Sequence, residues 1–226
     1  MPSLSQLLTN HGTLLLVDTA STTTQVGVLR NGKSAIWHNS TDEAGTAIFA
    51  STEIVLREAQ ATLECIRAFV YCEGPGSMLG VRTAAMTLRT WLVLQARPAY
   101  SFQSLALAGI FAWSQSAARE FAVVADARRS TWHVQTVQGN GGLPPLRRLL
   151  ATEMASGEYL MPENFRSWAP PPHPVARCSY DLAVILPAIA GHELFQAASS
   201  PDAFQHAAPE YKKWEARIHQ ADPARI

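Results

Sequence analysis

The chain has 226 residues, enough to bury a real core as one large domain or as two compact lobes. Its 18 basic and 18 acidic residues balance, so no global field draws it to nucleic acid or membrane, and any RNA contact must come from a local patch or a partner. Three cysteines, Cys65, Cys72 and Cys178, form no CxxC pair and favour a reducing compartment over a disulfide framework. The first residues carry no basic region, and the apolar run 14–17 is far too short for a signal or membrane segment. A cytoplasmic protein without a membrane partner is expected.

In chain order, residues 1–11 are polar without clear periodicity and read as a loose extension. Residues 14–17 read as a buried strand ending at Asp18; residues 19–23 turn the chain and 25–29 lead back out. Asn31-Gly32 is the strongest short hairpin signal, and 33–38 complete a three-stranded opening. Over 46–60 the period becomes helical, with Ile48, Thr52, Val55 and Ala59 in one stripe and Phe49 and Leu56 in a second. A strand over 66–72, a glycine turn and a helix over 82–95 follow, ended by Pro98. Ser101 reads as the cap of an alanine-rich helix through Leu105, Leu107, Ile110 and Phe111. Residues 121–125 form another buried strand ending at Asp126, answered by a strand over 131–137. The proline-rich stretch 143–174 gives no clear element, 181–198 read as helix, and the tail 209–217 is charged with two aromatics interleaved. Each half therefore has an aspartate at the end of its leading strand.

The stretch 66–82 organises the rest. Gly74-Pro75-Gly76 turns the chain sharply, Ser77 is a natural N-cap, and Ala84, Leu88, Trp91 and Gln95 recur at helical spacing behind it. Strand, glycine turn and capped helix aim backbone N–H groups and a helix dipole at one spot, which suits an anion. No Lys-Ser/Thr follows Gly80, so this is not a P-loop; the third glycine comes one residue late for the dinucleotide fingerprint; and Ser77 is misplaced for a nucleophile elbow. An anion cradle and a turn whose glycines serve geometry alone are both open readings. The same holds for Asp18-Thr19-Ala20-Ser21, where a carboxylate and two hydroxyls could receive magnesium and phosphate or simply form a turn. Asp126 has the same ambiguity. The seven histidines include no H-x-x-x-H pair, which leaves metal-centred hydrolysis without support.

The run from Leu14 to Asp126 resembles the bacterial TsaB (YeaZ) family, the inactive-paralogue partner in tRNA threonylcarbamoyladenosine synthesis. Leu-Leu-Val-Asp18-Thr-Ala-Ser21, Gly74-Pro-Gly-Ser77 with Gly80-Val-Arg82, Ser101-Phe-Gln-Ser104-Leu-Ala and Val124-Ala-Asp126-Ala-Arg128 carry the resemblance. Pro209-Glu-Tyr211 looks like the family's tail, whereas 143–205 add almost nothing. The resemblance implies an α/β fold of the actin-like (sugar kinase/heat-shock) kind, two-lobed with mixed sheets. Residues 12–102 would form the first lobe, and 103–226 a second, smaller lobe with the C-terminal tail. It also implies a non-catalytic subunit that pairs with a TsaD-like catalytic paralogue, joined by a TsaE-like ATPase, and meets tRNA only indirectly through that complex. No catalytic residue, metal or cofactor is implied, beyond a vestigial ATP or ADP site with magnesium at a partner interface. The matching positions of that site are Asp18, Thr19, Ser21, Gly74, Gly76, Ser77, Gly80, Arg82 and Asp126. The partner surface would lie on first-lobe helices, at Thr46, Phe49, Glu53, Leu56 and Arg89. When the partner is absent, a homodimer would form through the 46–60 and 82–95 helices.

Four departures from the family pattern stand out. Glu73 replaces an arginine before the glycine turn, Leu79 replaces a threonine, Glu43-Ala44-Gly45-Thr46 replaces a His-Thr-Gln-like helix start, and Ser130-Thr131 replaces a Gly-Glu pair. Two other classes of function compete: a nucleotide-dependent small-molecule kinase of the same fold, and a scaffold without a tRNA role. A kinase needs a general base beside a full set of phosphate-binding groups. Leu79 and the lack of second-lobe glycines speak against it.

Overall fold

The computed structural model describes residues 1–115 and 119–205. Its first sheet is built around β1 (Thr13–Asp18), whose four residues Leu14 to Val17 are buried on both faces, as a central strand requires. β2 (Thr24–Arg30) and β3 (Ile36–Ser40) extend it antiparallel, while β4 (Ala68–Gly74) and β5 (Ala99–Gln103) extend it parallel on the other side. The strand β11 (Gln196–Ala197) returns late in the chain to pair antiparallel with β5, giving the order β11-β5-β4-β1-β2-β3. Gly32, at φ 69°, turns the β2–β3 connection, although β3 begins only at Ile36, later than the sequence suggests.

Two helices cover one face of this sheet. In α2 (Ala44–Glu58), Ile48, Thr52 and Val55 face inward, as the first stripe predicts, and Ala59 at its end is also buried. In α3 (Met78–Leu94), Ala84, Leu88 and Trp91 do the same. The opposite face shares its core with the second lobe through α4 (Ser104–Gln115), whose Leu105, Leu107, Ala108 and Ile110 are all buried. A helix apolar on every side must be enclosed, and this one is sandwiched between two sheets. The second sheet runs β10-β9-β6-β7-β8, with β6 (Phe121–Asp126), β7 (Thr131–Val137), β8 (Arg147–Leu150), β9 (Tyr159–Pro162) and β10 (Val175–Cys178). It too is mixed: β6, β9 and β10 are parallel, β7 pairs antiparallel with β6, and β8 antiparallel with β7. No helix among the described residues is long and apolar enough to cross a membrane.

Several local expectations are corrected. Residues 1–11 are no loose extension: α1 (Leu4–His11) is closed by a capping box between Ser3 and Gln6, and buries Leu4 and Leu7 in the shared core. Ser101 is a buried residue of β5, not a helix cap, because pairing with β4 claims 99–103 and the helix starts only at Ser104. The expected helix over 181–198 shrinks to α5 (Leu182–Ala188), capped by Asp181 and ending shortly after Pro187. Strands β8 and β9 occupy part of the proline-rich stretch that gave no clear element. The tail motif Pro209-Glu-Tyr211 lies outside the described residues.

The α1 assignment is testable by denaturant unfolding. Leu7→Ala should cost about 2–4 kcal/mol, as expected for emptying a buried leucine site. A loose extension would tolerate the change within about 0.5 kcal/mol.

Candidate functional site

Both aspartate turns and the glycine loop lie at carboxyl ends of strands, where open α/β sheets place ligands. The glycine loop is docked on the turn after β1. Ser77 N–H donates to Ala20 O at 2.7 Å, and a Cβ on Gly76 would overlap that same carbonyl. Gly76 sits at φ 155° and Gly74 at φ 106°, and the Gly74-Pro75 peptide is cis. A Cβ on Gly80 would collide with Thr19 O, so a second glycine is needed for close approach to the same turn. Ser77 Oγ accepts the Gly80 N–H at 3.3 Å, the capping role its position predicts. Ser104 Oγ, at the start of α4, donates to Pro75 O and fixes the loop from behind.

Asp18 is fully buried under this pair of loops. Its Oδ1 accepts Ala20 N–H at 2.9 Å, and its Oδ2 accepts the Tyr180 hydroxyl at 2.7 Å. Cys72 Sγ lies 3.9 Å from the same hydroxyl. Burial pushes the Asp18 carboxyl above its usual range, against the hydrogen bonds from Tyr180 and Ala20, and pushes the Cys72 thiol and the Tyr180 phenol well up. Gln25, which faces Asp18 across β1 and β2, completes the clamp. It donates to Tyr180 O and accepts Leu182 N–H, both at 2.9 Å. Nothing in the sequence marks Tyr180 or Gln25 as partners of Asp18, because they meet only through the fold.

The remaining candidates are placed as follows. Ser21 closes its own turn, donating to Thr23 O and accepting Thr23 N–H. The Thr19 hydroxyl is buried without a partner among the described residues. Asp126 belongs to the other lobe: Oδ1 accepts Arg128 N–H at 2.6 Å, and Oδ2 accepts Trp168 and Ala169 N–H at 2.6 and 3.1 Å. Arg82 stands exposed on α3, in a groove of about 410 Å³ that also includes Phe49, Leu79 and Met86. Phe49 is 55% exposed and rests edge-on against Trp91, whereas Leu56 is half-buried and packs on the α2–α3 core. Thr46 and Glu53 are exposed on α2. Arg89 is engaged within the chain, donating to Pro201 O at 2.6 Å and pairing with Asp202 at 3.2 Å.

That last contact anchors a strap, residues 201–204, which the sequence does not signal. Asp202 N–H donates to the Tyr71 hydroxyl at 3.0 Å, and Phe204 N–H to Glu73 O at 2.6 Å. Phe204 reaches across to His133 on β7, with ring centroids 6.4 Å apart. The strap therefore runs over the end of β4, beside the glycine loop.

These residues do not fit a magnesium nucleotide. Both oxygens of Asp18 accept internal hydrogen bonds and its charged form is disfavoured, while the Ser77 and Gly80 N–H groups are spent on protein acceptors. Leu79 offers no hydroxyl, and Asp126 already accepts three N–H groups. Among the described residues, no group of three or more His, Cys, Asp or Glu side chains could hold a metal ion.

No family model and no curated protein matches the sequence. Among solved structures, YeaZ from Pseudomonas aeruginosa is similar, with a TM-score of 0.58 and 23% identity over 67% of this chain and 75% of that one. A second structure, described as a protein from the same organism with similarity to peptidase YEAZ, matches with the same values. The chain has the YeaZ fold. The two-lobed, actin-like α/β architecture with mixed sheets that the family resemblance implies is therefore the one observed. At this identity the likeness speaks for the fold alone.

Two measurements test the site. Gly76→Val should destabilise the protein by about 1–3 kcal/mol, through backbone strain and the clash with Ala20, and Ser77→Ala by about 1 kcal/mol as a lost cap. Equal, negligible shifts of the melting midpoint would refute the docked-loop account. For Asp18, a folded-state pKa above the unfolded one means stability that is present at low pH and lost as pH rises through the folded value. Asp18→Asn carries no such loss. Its Tm relative to the parent should therefore climb as the pH rises above the ordinary carboxylate range; a flat or falling difference would contradict a carboxyl raised by burial.

Proposed function

We propose that this chain is a non-catalytic assembly subunit of a tRNA threonylcarbamoyladenosine-modifying complex. It pairs through α2 and α3 with a TsaD-like catalytic paralogue, accepts a TsaE-like ATPase into the assembly, and self-associates through the same helices when the partner is absent. Its place of work is the cytoplasm. The observation that carries the reading is the likeness to YeaZ together with the exposed apolar surface on α2 and α3. Phe49, Met78, Leu79, Met86, Val93 and Leu94 are between 47% and 87% exposed there. Large apolar side chains gathered on one helical face are what a protein–protein interface needs. The engaged state of Asp18, Ser77 and Asp126 supports a structural role for the old ligand positions. A kinase reading finds no free phosphate-binding set in the same residues.

The decisive experiment is co-purification with a TsaD-like protein from the native host, repeated with Phe49→Glu. Because Phe49 is mostly exposed, the variant should stay folded with a Tm close to the parent's, lose the homodimer, and weaken partner capture by about tenfold or more. The isolated parent should show neither peptidase activity nor ATP turnover above a blank. ATP hydrolysis that vanishes in Asp18→Ala would promote the kinase instead, and a variant that stays dimeric with unchanged capture would remove α2 from the interface.

A further inference from the structure

We propose that the outer end of the second sheet is a binding platform for a single-stranded RNA segment, built from Arg128, Arg129, Arg148 and Trp168. The choice of RNA over DNA rests on the complex proposed above; the geometry of the surface does not. It gives the chain an RNA contact of its own, where the family resemblance implies only an indirect one.

The β6–β7 connection holds three successive non-glycine residues in the left-handed region: Arg128 at φ 65°, Arg129 at 51° and Ser130 at 57°. Such a run persists only where its surroundings over-determine it. Here Ala127 N–H donates to Thr131 O at 2.9 Å, Thr131 N–H to Arg128 O at 3.0 Å, and Ala151 N–H to Ser130 O at 2.8 Å. The strained turn leaves both arginines exposed. Beside it, the loop carrying Trp168 is pinned to the same carboxylate that fixes the turn, since Asp126 accepts N–H groups from Arg128, Trp168 and Ala169. Trp168 is 62% exposed, and the Arg128 guanidinium lies 4.7 Å from its ring centroid. Arg148 braces the turn from β8, donating to Thr131 Oγ1 at 2.9 Å and Ala127 O at 3.1 Å.

The three arginines are not ion-paired among the described residues. Among the described residues, the ion pairs are Arg89 with Asp202 and Arg119 with Glu158, and neither involves these three arginines. Asp126 and Glu153 accept backbone N–H groups and keep their negative charge, so the three arginines outnumber the two carboxylates beside them and the surface stays net positive. A rigid cluster of cations around a large exposed ring matches a polyanion that also carries planar bases. An acidic peptide would neutralise the arginines but offer no planar base to the exposed part of the Trp168 ring, and a duplex keeps its bases stacked on one another. A single strand satisfies both groups.

Fluorescence anisotropy of a labelled, uridine-rich RNA 12-mer with the isolated full chain tests this. Binding should show a log K against log salt slope near −2, from about three phosphate contacts at roughly 0.7 each. Arg128→Gln and Arg129→Gln should each reduce the slope by about 0.7, and Trp168→Ala should weaken binding about tenfold at unchanged slope. No binding at low salt, equal binding of polyglutamate, or unchanged affinity in the folded triple variant overturns the proposal. Partner capture is scored on the same variants: retained capture without RNA binding removes this platform alone, and RNA binding without any partner removes the complex reading while the platform stands.

Discussion

The buried carboxylate of Asp18 is the point on which both lobes depend. Taking an isolated carboxylate out of water costs several kcal/mol unless hydrogen bonds replace the lost solvation. Here the replacement comes from Ala20 in the adjoining turn and from Tyr180, 162 residues away. Gln25 adds two more bonds to the same segment from the neighbouring strand. The first hairpin thus grips the chain just before α5, and α5 and α4 fill the space between the sheets. Lobe packing, loop position and the protonation of Asp18 are one coupled arrangement.

The residues that differ from the pattern of the resembling family each have a place in this arrangement. Glu73 is absorbed structurally: its side chain accepts Gln103 Nε2 at 3.2 Å and its carbonyl holds Phe204 of the strap. Leu79, 71% exposed, points away from the loop and joins Phe49 on the outer groove. Arg89 couples these two regions, since it stands on α3 yet fastens Pro201 and Asp202. A partner seated on α3 would therefore press on the residue that holds the strap over β4.

What the sequence reveals and hides follows the range of the interactions. The buried strands 14–17 and 121–125, the Ser77 cap and the inward stripe of α2 rest on local pattern, and the structure has them nearly in register. Strand β5 is short and opens on Ala-Tyr-Ser, so only its pairing with β4 makes it a strand. The Ser3–Gln6 capping box and the Leu4, Leu7, Leu8 stripe of α1 were local signals, obscured by the polar residues between them. Of the site, the glycine turn, the Ser77 cap and the Asp18 turn were legible one by one, but their docking on each other was not. Tyr180, Gln25 and the strap join it only through contacts spanning 100 residues or more, which leave no periodic trace.

The two strand-end aspartates show how burial decides the fate of one motif. Each ends the leading strand of its lobe, and each could in principle face a ligand. Asp18 is sealed by a residue from the far end of the chain, so its two donors sit inside and its charged form is disfavoured. Asp126 is only half-buried, and it gathers three backbone N–H groups from two surface loops. A carboxylate accepting that many N–H groups is a strong organiser of backbone, because each charge-assisted bond exceeds a neutral one. The first aspartate is a rivet between lobes. The second holds an arginine turn and a tryptophan in fixed relation at the surface, which a turn of glycines would leave free to wander.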